Sequence, residues 1–363
     1  MSQYVVTFGE IMGRLAAPGH WRLRQTRVFE ATYAGAEASV AASICHYGGR
    51  ARFVTALPKH ALAEAAVDSL RAVGIDTRYI VRTDRGRLGL YFLEIGANQR
   101  PSLVVYDRDQ SAVALTPAEE YDWPAILADA RWLHLTGITP ALSRNAAEAT
   151  RMAAQKAREA GCRVSLDLNF RSKLWRWDPA KKPRELAGET MRGILPFVDV
   201  VVANEADCED VLGIRAGGSD VEAGRLETDR YPEVARQVVA QFPNVRQVAI
   251  TLRESISASH NNWGGMLYDA GSDRAFFAPR DGEGRYRPYE IRDIVDRVGA
   301  GDAFAGGLIF ALTTPELAEP QTALNFAVAA SCLKHSIHGD FNWASRSEVE
   351  ALMRGAASGR VVR

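Results

Sequence analysis

The chain has 363 residues, 47% of them hydrophobic and 24% charged, which allows two domains or one large domain with an appendage. These fractions are ordinary for globular proteins and exclude a disordered or fibrous chain. The 44 basic and 44 acidic side chains cancel, so no global charge favours nucleic acid or an anionic membrane as a partner. An anionic ligand must therefore be bound by a local arrangement of groups.

The N-terminal sequence MSQYVVTFGE has no basic segment followed by a long apolar stretch, and no run reaches the roughly 18 apolar residues of a membrane span. We therefore expect a cytoplasmic protein without membrane contacts. The cysteines lie far apart, without a Cys-x-x-Cys pair or a His-Glu-x-x-His motif, so we expect core thiols rather than a zinc site. They are Cys45, Cys162, Cys208 and Cys332.

Short β-type runs alternate with helical runs along most of the chain. The predicted strands are residues 5–8, 52–56, 131–137, 163–169, 198–204, 247–252 and 291–295, and the predicted helices are residues 36–47, 62–73, 145–160, 234–241, 303–312 and 323–335. Such alternation is typical of parallel strand–helix–strand units. We therefore predict an α/β fold with a doubly wound, mostly parallel sheet and helices on both faces.

Two segments, residues 14–33 and 88–112, interrupt this alternation. The second contains LGLYFLEIG and PSLVVYDRD, two predicted strands joined by a Gly-Ala-Asn-Gln-Arg-Pro turn. Neither segment has helices to cover it, so we predict a small β-sheet that stands over one edge of the main domain as a lid or packs against another subunit. The main domain would comprise residues 1–13, 34–87 and 113–363. Polar inserts at residues 171–189 and 214–231 are expected on the surface.

The sequence DRVGAGDAFAGG, residues 296–307, lies between a predicted strand and a predicted helix. Gly299, Ala300 and Gly301 would present successive backbone N–H groups at the helix N-terminus, which forms a cradle for an anion. A carboxylate beside such a cradle, that of Asp302, would repel a phosphate unless it takes a proton from an attacking hydroxyl. The alternative is a glycine-rich turn that packs a helix, with Asp302 as its N-cap.

No Gly-x₄-Gly-Lys-Ser/Thr sequence occurs, and Phe304 replaces the third glycine of Gly-x-Gly-x-x-Gly, so neither a P-loop nor a dinucleotide fingerprint is supported. The run from Asp296 to Asp302 resembles instead the C-terminal signature of the ribokinase-like (PfkB) carbohydrate kinases. The resemblance extends over nearly the whole chain, from VVTFGE through YAGAEASVA to the C-terminal helices. It implies a ribokinase-like fold and transfer of the ATP γ-phosphate to a primary hydroxyl of a sugar.

The resemblance also implies the roles of this segment. Asp302 would be the general base facing the acceptor hydroxyl, and the amides from Gly299 to Gly301 would stabilise the transferred group. Asp296 would support the loop and, as in some family members, a monovalent-cation site, although Arg297 replaces the usual threonine after it. A simple turn cap is the alternative for Asp296.

Several side chains resemble the contacts that 2-keto-3-deoxygluconate kinases, a group within this family, make to their sugar acid. They are Tyr91 on LGLYFLE, Tyr106 and Arg108 on VVYDRD, and Asn169 and Arg171 at the end of SLDLN. A planar guanidinium binds a carboxylate through two hydrogen bonds, and a tyrosine hydroxyl adds a neutral donor. The tail KHSIHGDFNWAS also resembles that group. We therefore expect a sugar acid, although each arginine alone also fits a solvated surface charge.

Gly35 and Ala36 in YAGAEASVA occupy the place of the family's Gly-Gly motif, where the helix start contacts sugar hydroxyls. Ala36 replaces the second glycine, and Ser39 replaces the asparagine that follows in the family. The hydroxyl pattern of the acceptor is therefore left open.

The nucleotide side is implied by three further segments. Asn204-Glu205-Ala206-Asp207 resembles the Asn-x-x-Glu motif for Mg²⁺ and phosphates, with Asp207 acting through water, or it is an asparagine N-cap followed by acids. The run from Thr251 to Ser255 occupies the place of the nucleotide loop, where Arg253 would reach a phosphate or be an exposed cation. The helix around Asn325 and Ala329 is expected to line the adenine pocket.

The expected activity is Mg-ATP-dependent phosphorylation of 2-keto-3-deoxygluconate to its 6-phosphate. A neutral-sugar kinase for fructose or ribose and a catalytically silent sugar-binding regulator are the alternatives. A hydride-transfer enzyme is disfavoured because no dinucleotide fingerprint follows the first strand. Since lids of this kind often pair, we expect a dimer or a higher even assembly.

Overall fold

The computed structural model describes residues 3–204, 206–215 and 230–355. The strands are β1 (Tyr4–Phe8), β2 (Met12–Ala16), β3 (Glu30–Ala34), β4 (Ala51–Val54), β5 (Ala56–Pro58), β6 (Val81–Thr83), β7 (Leu90–Glu94), β8 (Leu103–Asp107), β9 (Ala130–Thr136), β10 (Arg163–Asp167), β11 (Val200–Ala203), β12 (Gln247–Ser257), β13 (His260–Asp269), β14 (Arg274–Ala278) and β15 (Tyr289–Ile291). The helices are α1 (Ala36–His46), α2 (Ala61–Ala72), α3 (Ala112–Leu115), α4 (Trp123–Leu127), α5 (Arg144–Glu159), α6 (Pro183–Ile194), α7 (Asp207–Leu212), α8 (Tyr231–Gln241), α9 (Ala300–Leu312), α10 (Pro320–Lys334) and α11 (Arg346–Met353).

The main sheet has the order β14-β13-β12-β11-β10-β9-β1-β4, and β15 pairs with β13. The strands from β12 to β4 in this order are parallel, whereas β12, β13 and β14 are antiparallel. The central strands, such as the buried run VVVA of β11, are apolar throughout because both faces of the sheet are covered. The chain leaves β1 toward β4 and later returns to its other side with β9, which places a topological switch point between β1 and β9.

Helices cover both faces of this sheet. The buried faces of α5, α6 and α8 contribute to one apolar cluster, and those of α1, α2, α9 and α10 contribute to the other. Helix α9 is almost entirely apolar and packs against both α1 and α10. The N-terminus of α9 is therefore held by the core of the protein.

A separate four-stranded sheet has the order β3-β2-β7-β8. Strands β2 and β7 are parallel, with Arg14 opposite Tyr91, and the other two pairings are antiparallel. Met12, Tyr91 and Leu93 contribute to its buried face. The prediction of a mostly parallel α/β sheet with helices and a separate small sheet is thus confirmed. The predicted surface insert at residues 214–231 lies mainly outside the described residues.

The predicted strand at residues 291–295 is wrong. Strand β15 ends at Ile291, and the following residues form a loop whose backbone bonds go to other loops. The N–H of Ile294 donates to the carbonyl of Ser259, and that of Val295 donates to the carbonyl of His335. Ile294 is buried while Val295 is 43% exposed, so the apolar run does not face a neighbouring strand. Asp296 therefore follows a loop.

The predicted surface insert at residues 171–189 overlaps a packed helix. Helix α6 begins at Pro183 and buries Leu186, Met191 and Ile194 at helical spacing. The polar residues before Pro183 masked this periodicity in the sequence. Strands β13 and β14, which extend the sheet in antiparallel fashion, were also not predicted.

In the described part of the chain, no helix combines the length and the apolar character needed to cross a membrane. Cys162 and Cys208 are buried, and Cys45 and Cys332 are half-buried.

Candidate active site

A cavity of about 440 Å³ lies between the carboxyl ends of the parallel strands, the N-terminus of α9 and the inner face of the small sheet. Ligands of open α/β sheets bind at this edge. The predicted site residues that line the cavity are Gly35, Ala36, Tyr91, Tyr106, Arg108, Asn169, Arg171, Asn204, Asp207, Thr251, Arg253, Gly299, Ala300, Gly301 and Asp302. The structure thus brings together residues from seven separate segments of the sequence.

Asn325 and Ala329 are not among the described residues that line this cavity. Ala329 is fully buried in the core. The side-chain oxygen of Asn325 accepts a hydrogen bond of 3.0 Å from Gln321 on the same helix. Their predicted contact with adenine has no geometric support here.

The cradle begins with Gly299, the N-cap of α9, whose φ of 85° lies in the left-handed region that favours glycine. A Cβ at Gly299 would lie 2.1 Å from the carbonyl oxygen of Asp340, so the two backbones are in direct contact. The N–H of Ala300 bonds weakly to the carbonyl of Arg297, at 3.4 Å. The N–H of Gly301 makes no hydrogen bond with a described residue and is available to an anion.

Asp302 lies in the first turn of α9 and lines the cavity. Burial raises the pKa of its carboxyl well above the ordinary range, and the negative charges of Asp167 and Asp340 raise it further. Arg171 opposes this shift. A carboxylate with a raised pKa is a stronger base than an ordinary aspartate, as proton removal from a hydroxyl requires.

Two further acids in the cavity were missed in the sequence. Burial raises the pKa of Asp167, at the end of β10, to about 8, and the charge of Asp207 adds to the shift. Burial also raises the pKa of Glu37, whose carboxylate accepts hydrogen bonds of 2.7 Å from Thr136 and Thr139. For Asp167, the available sequence signal was its position two residues before Asn169. For Glu37, the signal was an acidic residue within a helix whose other residues are mostly small and apolar.

The small sheet supplies the opposite wall of the cavity. Tyr91 donates a hydrogen bond of 2.7 Å to Asp340. Arg108 is buried and donates through Nε and Nη2 to Glu10, with an Nε distance of 2.7 Å, and its guanidinium lies 5.4 Å from the ring centroid of Tyr106. Arg108 is therefore buried and not a solvated surface charge, but two of its five guanidinium N–H groups are already bonded to Glu10.

Arg171 is the more accessible cation on this side. Its side chain is exposed, lines the cavity and makes no hydrogen bond or ion pair with any described residue. Neighbouring Asn169 adopts a φ of 33°, and its N–H donates to Asp167 at 3.1 Å. Arg171 is thus positioned for a bidentate contact with a ligand carboxylate.

The Asn204 loop is largely closed on itself. The side-chain oxygen of Asn204 accepts from the N–H groups of Ala206, at 2.8 Å, and Asp207, at 3.1 Å. Both carboxylate oxygens of Asp207 accept backbone N–H groups, from Phe170 and Asn204. The Asn204 side chain therefore closes the turn that leads into α7, whose N-cap is Ala206, and Glu205 lies outside the described residues.

Arg297 lies in the cavity wall near the nucleotide loop. Its Nη2 donates to the carbonyls of Ser257 and Ala258 and to the side-chain oxygen of Asn261, at 3.0–3.2 Å. No described carboxylate pairs with it, its Nε is buried without a partner, and burial together with the charge of Arg253 lowers its pKa. A fixed guanidinium bound by neutral acceptors favours an anion beside the cradle.

Asp296 is buried at the base of the cradle. One carboxylate oxygen accepts from the N–H of Val298 at 3.0 Å, as a turn cap does, and the other pairs with Arg14 at 2.5 Å. Arg14 comes from the small sheet and also pairs with Asp340. No local pattern indicates a role for Arg14, because a lone arginine in MGRLA is typical of an exposed strand residue.

Comparisons with known proteins agree with this geometry. The model of the pfkB family carbohydrate kinases matches residues 2–255 and 257–342. The 2-dehydro-3-deoxygalactonokinase of Haloferax volcanii is 33% identical over 359 residues, which cover 99% of each chain. The 2-dehydro-3-deoxygluconokinase of Bacillus subtilis is 26% identical over 307 residues, 84% of this chain and 81% of the relative.

Among solved structures, the 2-dehydro-3-deoxygluconokinase of Thermotoga maritima is similar with a TM-score of 0.87 and 45% identity. The match covers 97% of this chain and 100% of that one. Together with the family match, this similarity agrees with the two-sheet architecture. The chain therefore belongs to the pfkB family of carbohydrate kinases.

Proposed function

We propose that the protein phosphorylates the 6-hydroxyl of 2-keto-3-deoxygluconate (2-dehydro-3-deoxygluconate) with Mg-ATP. The observation that carries this proposal is the position of Arg171, a cation without a described partner, in the same cavity as Asp302 and the α9 cradle. A guanidinium on the acceptor side favours a sugar that carries a carboxylate. The names of the Bacillus and Thermotoga relatives support the same substrate.

The galacto epimer is the second candidate substrate. The Haloferax relative, which spans nearly the whole chain, is named for it. The two epimers differ in the configuration of one hydroxyl, which a single hydrogen bond can distinguish. Both are acids, so the role assigned to Arg171 is the same for each.

In the proposed reaction, Asp302 accepts the proton of the attacking hydroxyl while that oxygen forms a bond to the γ-phosphorus of ATP. The bond between this phosphorus and the β,γ-bridging oxygen breaks, and ADP leaves. The amides at the start of α9 stabilise the charge on the transferred group. Tyr91, Tyr106 and Arg171 orient the sugar acid so that its far hydroxyl reaches Asp302.

Carbohydrate kinases of this family use ATP and Mg²⁺. Buried carboxyls line this cavity, and burial raises the pKa values of Asp167 and Asp207 although the charge of Arg171 opposes both shifts. Asp167 and Asp207 would hold the ion, with Asp207 acting through water because both of its oxygens already accept N–H groups. The ion would neutralise phosphate charge. No group of three or more metal-ligating side chains occurs among the described residues, which agrees with a site completed by phosphates and water.

The nucleotide phosphates would lie between the α9 cradle and two arginines, Arg253 on β12 and Arg297 in the loop before α9. The phosphates would then lie on the side of Thr251, whose hydroxyl lies 3.5 Å from the carbonyl oxygen of Ala203. Arg297 would act in place of the threonine that is usual at its position. The acceptor sugar would lie between Asp302 and the small sheet.

The test is steady-state kinetics of ADP release with 2-keto-3-deoxygluconate, its galacto epimer, fructose and ribose. We expect kcat/KM to be highest for one of the two acids. A preference for fructose or ribose would replace the proposal with the neutral-sugar alternative. Binding of an acid, measured by calorimetry, without any ADP release would identify a silent sugar-binding protein.

A pair of variants tests the role of Arg171. Arg171→Ala should raise KM for the acid by about 10- to 100-fold, because a charge-assisted hydrogen bond contributes roughly 1.5–3 kcal/mol. KM for fructose should not change. Arg176→Ala, an exposed arginine of the same loop that does not line the cavity, is the matched control. Equal effects on acid and neutral sugars would contradict the assignment.

A further inference from the structure

Arg14 lies on strand β2 of the small sheet, but its side chain is bound by the main body of the protein. Its side chain is 1% exposed, and its guanidinium pairs with Asp296 at 2.5 Å and with Asp340. Both partners belong to the C-terminal part of the chain, around the start of α9. The ion pairs therefore join the small sheet to two loops of the main domain, with which it shares no sheet.

The two aspartates hold opposite sides of the cradle. Asp296 accepts the N–H of Val298, directly before Gly299, and the N–H of Gly339 at 3.2 Å. Asp340 contacts Gly299 through its backbone carbonyl. The Arg14 guanidinium thus fixes two segments, the loop that leads into the cradle and the segment around Asp340 that the cradle contacts.

Tyr91 reinforces this connection from the neighbouring strand. It lies opposite Arg14 in the parallel register of β2 and β7, and its hydroxyl donates to the second carboxylate oxygen of Asp340. The small sheet therefore holds Asp340 by two adjacent side chains. Tyr91 also lines the acceptor side of the cavity, so the wall that contacts the sugar and the group that holds the cradle are directly linked.

Electrostatics make Arg14 difficult to replace. Burial raises the pKa of Asp340, and the charge of Arg14 opposes this shift. The remaining nearby cation, Lys334, is also buried and donates its Nζ hydrogens to the carbonyls of Asp296 and Ile337. Without Arg14, two buried carboxyls would share one ammonium group that is already bound to carbonyls, and an uncompensated buried charge is costly.

We propose that Arg14 is a positioning residue that fixes the anion cradle, and with it Asp302, relative to the sugar-binding wall of the small sheet. This inference rests on the proposed kinase function. A lysine at this position would keep the charge but lacks the planar fork that bridges two carboxylates. Arg14→Lys should therefore lower kcat by at least about tenfold, with a smaller change in the dissociation constant of the sugar.

The chain offers a matched control in Arg52. It is also 1% exposed and also bridges two aspartates, Asp76 and Asp129, but these residues lie at the far end of the main sheet and do not line the cavity. Arg52→Lys should lower the melting temperature by an amount similar to Arg14→Lys. The kcat of folded Arg52→Lys should stay within about twofold of the parent protein.

Hydrogen–deuterium exchange supplies a readout that does not depend on turnover. Amides of residues 297–301 should exchange faster in Arg14→Lys than in the parent and in Arg52→Lys. Equal exchange and equal kcat in the two arginine variants would overturn the inference. If Arg14→Lys does not fold, Asp296→Asn, which retains an oxygen for Val298, should show the same loss of kcat and the same faster exchange, and unchanged values would overturn the inference.

These outcomes are separable from failure of the proposed function. If the parent protein forms no ADP with any sugar, the kinase proposal fails, and the exchange data still decide whether Arg14 orders the cradle. If the parent is active and Arg14→Lys retains its kcat, the inference about Arg14 fails alone.

Discussion

Asp302 combines two properties that are unusual in one carboxylate. It lies in the first turn of a helix, where the N-terminal partial charge favours the ionised form, yet burial and neighbouring acids raise its pKa. In the ligand-free protein, burial and the neighbouring acids outweigh the partial charge of the helix N-terminus, so the pKa of Asp302 is raised. Mg²⁺ bound by Asp167 would offset one of these negative charges and move the balance toward ionisation, so that the base forms when the nucleotide is in place.

Replacing Asp302 with asparagine removes the proton acceptor and keeps the shape of the side chain. We expect Asp302→Asn to lower kcat by about 100-fold or more, since general-base assistance contributes roughly 10² to 10⁴ in rate. Binding of the sugar acid, measured by calorimetry, should survive. Near-normal turnover in a coupled ADP assay would show that another group takes the proton.

Asp167 is expected to set the pH dependence of the reaction through Asp302. Activity requires ionised Asp302, so kcat/KM should fall as pH drops through its pKa, which burial and then Asp167 raise. Asp167→Asn removes one negative charge, so the acid limb of kcat/KM should move to lower pH, and kcat should also fall because Asp167 is a proposed Mg²⁺ contact. The measurement is a pH–rate profile of both proteins, and an unmoved limb would mean that the two carboxyls are not coupled.

At the level of elements, the loop that enters α9 depends on the backbone geometry of Gly299. Alanine there would adopt an unfavourable left-handed φ and place its Cβ 2.1 Å from the carbonyl oxygen of Asp340. Gly299→Ala should lower the melting temperature by several degrees and kcat by more than tenfold. Both are measured on the purified variant, by calorimetry and by the ADP assay.

Gly301 provides the contrast for this prediction. A Cβ at Gly301 meets no atom within 4 Å, and the residue has an ordinary helical φ. Gly301→Ala should leave the melting temperature unchanged or raise it, because alanine favours a helix by roughly 1 kcal/mol over glycine. A similar loss of stability in both variants would indicate that glycine content, rather than the geometry at Gly299, limits stability.

The sequence predicted the repeating elements of the fold well and its connections less well. Apolar runs such as that of β11 and the periodicity of α5 are local signals, so these elements were found within a few residues. The loop before Asp296 was mistaken for a strand because its apolar residues are held by distant loops. Pairing between distant residues leaves no local pattern.

The candidate site shows the same difference between local sequence patterns, which were recognised, and contacts between distant residues, which were not. Glycines and acids in one short segment predicted the cradle and Asp302 directly. The Arg108–Glu10 pair and the Arg14 bridges join residues about 100 to 330 positions apart, and a single sequence does not reveal them. The sequence therefore indicated most of the groups expected to meet the ligands, Asp167 excepted, but not those that hold these groups in place.

At the scale of the whole molecule, the outer face of the small sheet is expected to mediate an even assembly. Leu103 and Val105 on β8 are 44% and 45% exposed, and Phe29 is 41% exposed, which is unusual for side chains of this size. We expect a dimer or a higher even oligomer by light scattering. Val105→Glu should shift the mass toward the monomer, whereas Leu62→Glu, at an exposed position on α2, should not.

Because the cavity is lined by acids, binding of a ligand is expected to be accompanied by exchange of protons with the solvent. Burial raises the pKa values of the Glu37, Asp167, Asp207, Asp302 and Asp340 carboxyls, that of Asp167 to about 8, so Asp167 holds a proton in a large fraction of molecules at neutral pH. When Mg²⁺ binds beside Asp167, that proton must leave. The heat of binding should therefore vary with the ionisation enthalpy of the buffer, and the slope of that variation counts the protons released.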